Sequence, residues 1–170
     1  KQKSTHFLLT TLWYLAPKVT KDILLKRFFK PLSYPLAPFE RHYLEKGSTF
    51  HILVHNKKIR CWKWGHGPAI LFVHGWNGRG VNFAHFFEEF INAGYSVITY
   101  DAPAHGESGG KVTKYFELSD AVIACLDPSY GFNIQGIIAY SIGASALINC
   151  ISKVNPSINV VLIAPGLKLK

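Results

Sequence analysis

From residue 47 onward the chain alternates short apolar runs with longer mixed stretches. Residues 50–55 and 58–64 alternate apolar and polar positions, which predicts two strands joined by a tight turn at Asn56-Lys57. Ala69–Val73 and residues 95–100 are nearly continuous apolar runs, and Ile134–Tyr140 has Gln135 as its only polar residue. Runs of this kind suit strands buried on both faces of a parallel sheet. Stretches with helical periodicity fall between them, over 82–92, 116–126 and 142–151, and Asn159–Ile163 closes the series. Strands alternating with helices of this length predict an α/β fold, a mostly parallel central sheet with helices on both faces. The pattern shows no internal repeat and no low-complexity tract.

The first 46 residues read differently. Residues 7–16 are apolar, preceded by Lys1, Lys3 and His6 and followed by Pro17. About ten residues cannot span a bilayer as a helix. The positive-then-apolar order is that of a signal peptide, but Ala16-Pro17 is a poor cleavage site. Residues 19–29 place Val19, Ile23, Leu24 and Phe28 among Lys21, Lys26 and Arg27, which predicts an amphipathic basic helix. Pro31, Pro35 and Pro38 predict an extended linker. The expected organisation is therefore a basic helical segment and linker over 1–46, then an α/β domain over 47–170.

Charge sharpens that division. Of the net +9, residues 1–31 carry +6, with seven Lys/Arg against one Asp, and the longer remainder carries +3. The basic segment makes a peripheral contact with an anionic membrane surface an expectation for residues 1–31. It argues against a nucleic-acid partner for the main domain, where no recognition motif accompanies the charge. Cys61, Cys125 and Cys150 are far apart and in no metal-ligand spacing, which points to packed, reduced thiols and a cytoplasmic setting. The chain has no Met and opens on Lys1, as a processed or incomplete start would.

The chemistry concentrates at Ser141. It sits where the apolar run Ile134–Tyr140 gives way to an Ala-, Leu- and Ile-rich helix, flanked by the small residues Ala139, Gly143 and Ala144. Such an Ala-x-Ser-x-Gly join suits a nucleophile elbow, in which a sharp strand-to-helix turn thrusts the serine oxygen out of the sheet beside free helical N–H groups. The plainer alternative is a serine that caps the helix. Glycine-rich loops elsewhere do not bind nucleotide by pattern: no Gly-Lys-Ser/Thr follows a strand, and Gly78-Arg79-Gly80 lacks a third glycine. No cofactor and no metal are called for.

Three motifs in register, His74-Gly-Trp-Asn-Gly, Asp101-Ala-Pro-Ala-His-Gly-Glu-Ser and Ala139-Tyr-Ser-Ile-Gly-Ala, each after a strand, resemble the α/β-hydrolase superfamily over about residues 50–166. The likeness is greatest to bacterial esterase-like hydrolases carrying the Gly65–Trp76 run. The resemblance implies Ser141 as nucleophile toward small acyl esters, with an oxyanion hole from the backbone N–H groups of Trp76 and Ile142, while His74 and Asp101 shape their loops. It also implies a triad in the chain order Ser, Asp/Glu, His. All eight histidines of this chain precede Ser141, so acid and base are expected beyond Lys170. On that reading the fold is truncated after about its sixth strand, and the edge of strand Asn159–Ile163 is open to self-association. The alternative reading is a non-catalytic binding or membrane-associated module.

Overall fold

The computed structural model describes residues 10–166, and the chain divides into two compact units at Lys30/Pro31. In the first unit residues 10–15 are helical, and helix α1 (Pro17–Phe28) follows. Pro17 occupies its first turn, where a missing N–H costs nothing, and Lys26 and Arg27 in the last turn complement the helix dipole. The one-sided amphipathic stripe expected here does not form. At 100° per residue Val19 and Ile23 share a face, whereas Leu24, Leu25 and Phe28 fall on others, and all five are exposed. Residues 1–9, which carry part of the expected membrane contact, lie outside the described residues. Among the described residues no helix is long and apolar enough to cross a membrane.

The second unit opens with an irregular strap, residues 31–37, and helix α2 (Pro38–Lys46). Pro38 is thus the start of a helix and not part of an extended linker, because Glu40 reaches back to accept the Ala37 N–H at 2.9 Å. Helix α2 joins the main core through Tyr43, whose carbonyl accepts the Trp64 indole N–H at 2.9 Å. The compact unit therefore begins at Pro31 and not at residue 47.

Six strands follow: β1 (Ser48–Val54), β2 (Lys57–Trp64), β3 (Ala69–Val73), β4 (Ser96–Tyr100), β5 (Ile134–Tyr140) and β6 (Asn159–Ile163). They form one sheet in the order β1-β2-β4-β3-β5-β6. The first two strands pair antiparallel, as do β2 and β4, and the other three pairings are parallel. The hairpin turn falls at His55-Asn56, one residue earlier than expected. Val54 pairs with Lys57, His55 takes the positive φ of 43°, and Lys57 is held in the strand by Glu117 at 2.8 Å.

Helices cover both faces, and the alternation of the strands sorts the core accordingly. Leu71, Val73, Ile98, Tyr100, Ile137 and Ala139 point toward α4 (Tyr115–Cys125) and α5 (Ile142–Asn149). Ile70, Phe72, Val97, Trp62 and Trp64 point toward α3 (Ala84–Asn92) and α2. On the second face Phe87 is the hub, with ring centroids 4.8 Å from Trp64, 5.4 Å from Tyr43 and 5.5 Å from Phe72. Because β3, β4, β5 and β6 run parallel, their carboxyl ends bring loops 74–80 and 101–110, Ser141 and loop 164–166 to one edge, where sites in open α/β sheets form. Among the described residues strand β6 has a single neighbour, and its Val161, Leu162 and Ile163 are exposed.

Phe87 is fully buried, so Phe87→Ala should cost about 3–5 kcal/mol, the usual loss for an emptied aromatic site. Urea unfolding of parent and variant measures it; a loss below about 1 kcal/mol, outside that range, would mean that α2 and α3 are not packed on the sheet through this ring.

Candidate active site

Strand β5 ends at Tyr140 and α5 begins at Ile142, so one residue turns the chain. That residue, Ser141, adopts φ 52°, ψ −124°, a conformation that a non-glycine residue holds only when its surroundings over-determine it. Two backbone bonds do so. Its N–H donates to Ile163 O at 2.9 Å and its carbonyl accepts the Ser145 N–H at 3.1 Å. Although Ser141 occupies the N-cap position, its side chain makes no capping hydrogen bond, so the helix-cap alternative fails. The hydroxyl is half-buried at the start of a helix whose interior-facing residues Gly143, Ala144 and Ala146 are small and buried.

The turn works only because Gly143 has no side chain. A Cβ there would clash with the His74 carbonyl and lie 3.0 Å from Val73 Cγ1. The loop after β3 is thereby pressed against the elbow. Gly75 meets it at the same point, since a Cβ on Gly75 would lie 3.1 Å from both Ser141 Cβ and Tyr140 Cδ1. The Gly75 carbonyl accepts the Gly78 N–H at 3.0 Å and pairs with His74 Nδ1 at 2.7 Å. In a trans peptide the Trp76 N–H then points the opposite way, out of the loop.

His74 shapes this loop. Its Nε2 accepts the Ala102 N–H at 2.9 Å, so the ring proton lies on Nδ1 and is donated to Gly75. Burial, reinforced by the neighbouring His105, lowers its pKa to about 3, and it stays neutral across the physiological range. Asp101 does the corresponding work in its own loop, accepting the N–H groups of Gly80 and Glu107 at 2.7 Å each. Burial raises its pKa to about 6, against the opposing pull of those two bonds. His105 stacks edge-on to Trp76 with centroids 5.2 Å apart. Its Nδ1 pairs with Pro103 O at 3.0 Å, and its buried Nε2 has no partner among the described residues. Asp127 caps a short turn ahead of β5 through the Ser129 N–H, at the far end of that strand from Ser141.

A cleft of about 550 Å³ opens beside the elbow, walled by Gly75, Trp76, Phe86, Tyr140, Ile163 and Tyr34. The cleft is mostly apolar and of the size that suits a small ligand, and it meets the elbow through Tyr140 and Gly75, the two residues packed beside Ser141. Sequence reasoning missed the strap. Leu32 N donates to Asn77 Oδ1 at 2.7 Å, Arg79 Nη2 donates to Tyr34 O, and Asn82 Nδ2 donates to Glu40 Oε1 at 3.0 Å. The proline spacing was the only signal in that region, and prolines mark stiffness without naming what the strap lies against. Among the described residues no group of His, Cys, Asp and Glu could hold a metal ion.

A family profile described as "Serine aminopeptidase, S33" matches residues 66–170. No curated protein matches the chain. Among solved structures the chain is similar to epoxide hydrolase VrEH1 from Vigna radiata, with TM-score 0.60 and 21% identity over 70% of this chain and 40% of that one. It is also similar to the esterase Pf2001 of Pyrococcus furiosus, with TM-score 0.60 and 23% identity over 79% of this chain and 56% of that one. A predicted CIB-like hydrolase from Thermoplasma acidophilum gives TM-score 0.57 and 19% identity over 70% and 63%. At these identities the likeness shows the fold, and the chain spans less than two thirds of each of these proteins.

Two outcomes test the site as built. Gly143→Val should destabilise the protein by roughly 1–3 kcal/mol, because the new side chain meets backbone that cannot yield; a variant as stable as the parent would contradict the close strand–helix approach. For His74 the folded pKa is depressed to about 3. Its contribution to stability is therefore fully present above the ordinary histidine pKa of about 6.5 and is lost as pH falls toward 3. Asp101, with a raised pKa, works oppositely between about pH 4 and 6, and the larger histidine shift prevails. Urea stability should accordingly fall from pH 7 to 4, and less so in His74→Gln; equal slopes would show that the ring is not held neutral.

Proposed function

Because the chain belongs to the serine aminopeptidase S33 family and has the α/β-hydrolase fold, we propose that it carries the nucleophile of a serine hydrolase acting on carboxylic esters or related acyl substrates. The observation that carries this reading is the backbone of Ser141, strained at φ 52° while its side chain caps nothing. Strain of this kind persists where a reactive group must be presented.

In the reaction, Ser141 Oγ attacks the acyl carbonyl carbon and gives up its proton to a base. The backbone N–H groups of Trp76 and Ile142 bind the resulting oxyanion, a contribution worth on the order of 3 kcal/mol per donor. Collapse expels the alcohol and leaves an acyl group on Ser141, which water removes with the help of the same base. The acyl portion lies along Phe86, Tyr140 and Ile163 in the cleft. No histidine follows Ser141 in this chain, and because the triad order puts the base after the nucleophile, none of its histidines is assigned as base. His74 cannot serve, with both ring nitrogens engaged by backbone.

The 170-residue chain should therefore acylate slowly and deacylate more slowly still. Incubation with p-nitrophenyl acetate should leave an acetyl group on the tryptic peptide containing Ser141, detected by mass spectrometry and absent in Ser141→Ala. An acetylation pattern unchanged by that substitution would remove Ser141 as nucleophile. Serine-dependent turnover at about 1 per second or faster, within the ordinary enzyme range, would show that a base exists within the chain.

A further inference from the structure

The strap over residues 31–37 has no helix or strand of its own, yet it is tied down along its length. Leu32 is held by Asn77 at 2.7 Å, the Tyr34 carbonyl by Arg79, and the Ala37 N–H by Glu40 at 2.9 Å. The first two ties come from the residues that directly follow Trp76. They are not needed to anchor α2, which Glu40–Asn82 and Tyr43–Trp64 already secure. Pro31, Pro35 and Pro38 restrict the strap's backbone further. What this fastening delivers is Tyr34. The residue is exposed, at 54%, and it lines two hollows at once. One is the cleft beside the elbow, of about 550 Å³. The other, of about 280 Å³, lies behind the strap against Leu36, Leu44 and Arg79.

From this placement we propose that Tyr34 is a specificity-determining residue, the end wall that limits the length of acyl chain the cleft accepts. The inference rests on the cleft being the acyl site. A rigid aromatic is suited to the task, because it presents a large apolar surface with few rotatable bonds. Its position does not depend on its own packing, since the bonds that fix it are made by backbone at residues 32, 34 and 37. Removing the ring should therefore leave the strap in place and join the two hollows.

Binding reads this without requiring turnover. Hexanoate and decanoate are titrated calorimetrically into the 170-residue chain and into Tyr34→Ala, Tyr34→Phe and Tyr34→Trp, with thermal melting to confirm that each is folded. The decanoate-to-hexanoate affinity ratio should rise about tenfold in Tyr34→Ala, as for roughly two additional buried methylenes. It should be unchanged in Tyr34→Phe and fall in Tyr34→Trp. If both acids bind and the ratio is the same in all four proteins, the wall is refuted while the acyl cleft stands. If neither acid binds any of them, the cleft is not an acyl site and the wall falls with it.

Discussion

The contact on which the rest of the site depends is the approach of two turns at the carboxyl edge of the sheet. The turn after β3 lies so close to the first turn of α5 that Gly143 faces the His74 carbonyl, with no room for a side chain, and Gly75 faces Ser141 across a tight contact. This proximity decides three things together. It forces the serine into its strained conformation, brings the Gly75–Trp76 peptide beside it, and fixes the distance between strands β3 and β5 at the edge where they end. Loosening it by one methyl group would alter all three.

Such closeness creates a problem of buried backbone. Loops normally lie in water because their N–H and C=O groups need partners, and these loops are partly shut away. The solution is a set of buried polar side chains that act as brackets. His74 serves Gly75 and Ala102, Asp101 serves Gly80 and Glu107, and Thr99 Oγ1 donates between the carbonyls of Phe72 and Gly80. Their unusual titration follows from this role. A neutral imidazole can both donate and accept where an imidazolium could only donate, and a doubly accepting carboxylate holds its charge despite burial because two N–H groups face it. Perturbed pKa values here report architecture.

Most of this frame was legible because the sheet is buried on both faces and its strands are nearly uninterrupted apolar runs. Ala69–Val73, Ile134–Tyr140 and Asn159–Ile163 occupy the positions that their patterns indicate. The elbow was legible for a different reason: the join at Ser141 also suits a helix cap, and it stood out because two further motifs, at His74 and Asp101, follow earlier strands in register. Errors arose where backbone geometry is set by remote partners. The hairpin turn moved by one residue because Lys57 has an ion partner sixty positions away. Pro38 opened a helix because Glu40 could reach back to accept the Ala37 N–H, and α1 lacks a stripe because its apolar residues follow no single face. The strap's partners, Asn77 and Arg79, lie forty-five residues on, a separation across which local pattern carries no information.

Rigidity is unevenly distributed around the serine, and the topology explains the gradient. On one side stand β3 and β4, each flanked by two strands, covered on both faces and locked by the buried brackets. On the other side stands β6, which among the described residues pairs with β5 alone and is exposed at Val161, Leu162 and Ile163. Yet Ile163 accepts the Ser141 N–H, and Ser145 Oγ accepts the Gly166 N–H at 3.0 Å. The elbow is thus suspended between a stiff wall that carries the Trp76 peptide and a weaker one that closes the cleft at Ile163. Local opening costs least where few apolar contacts are lost, and among the described residues that is the β6 side of Ser141.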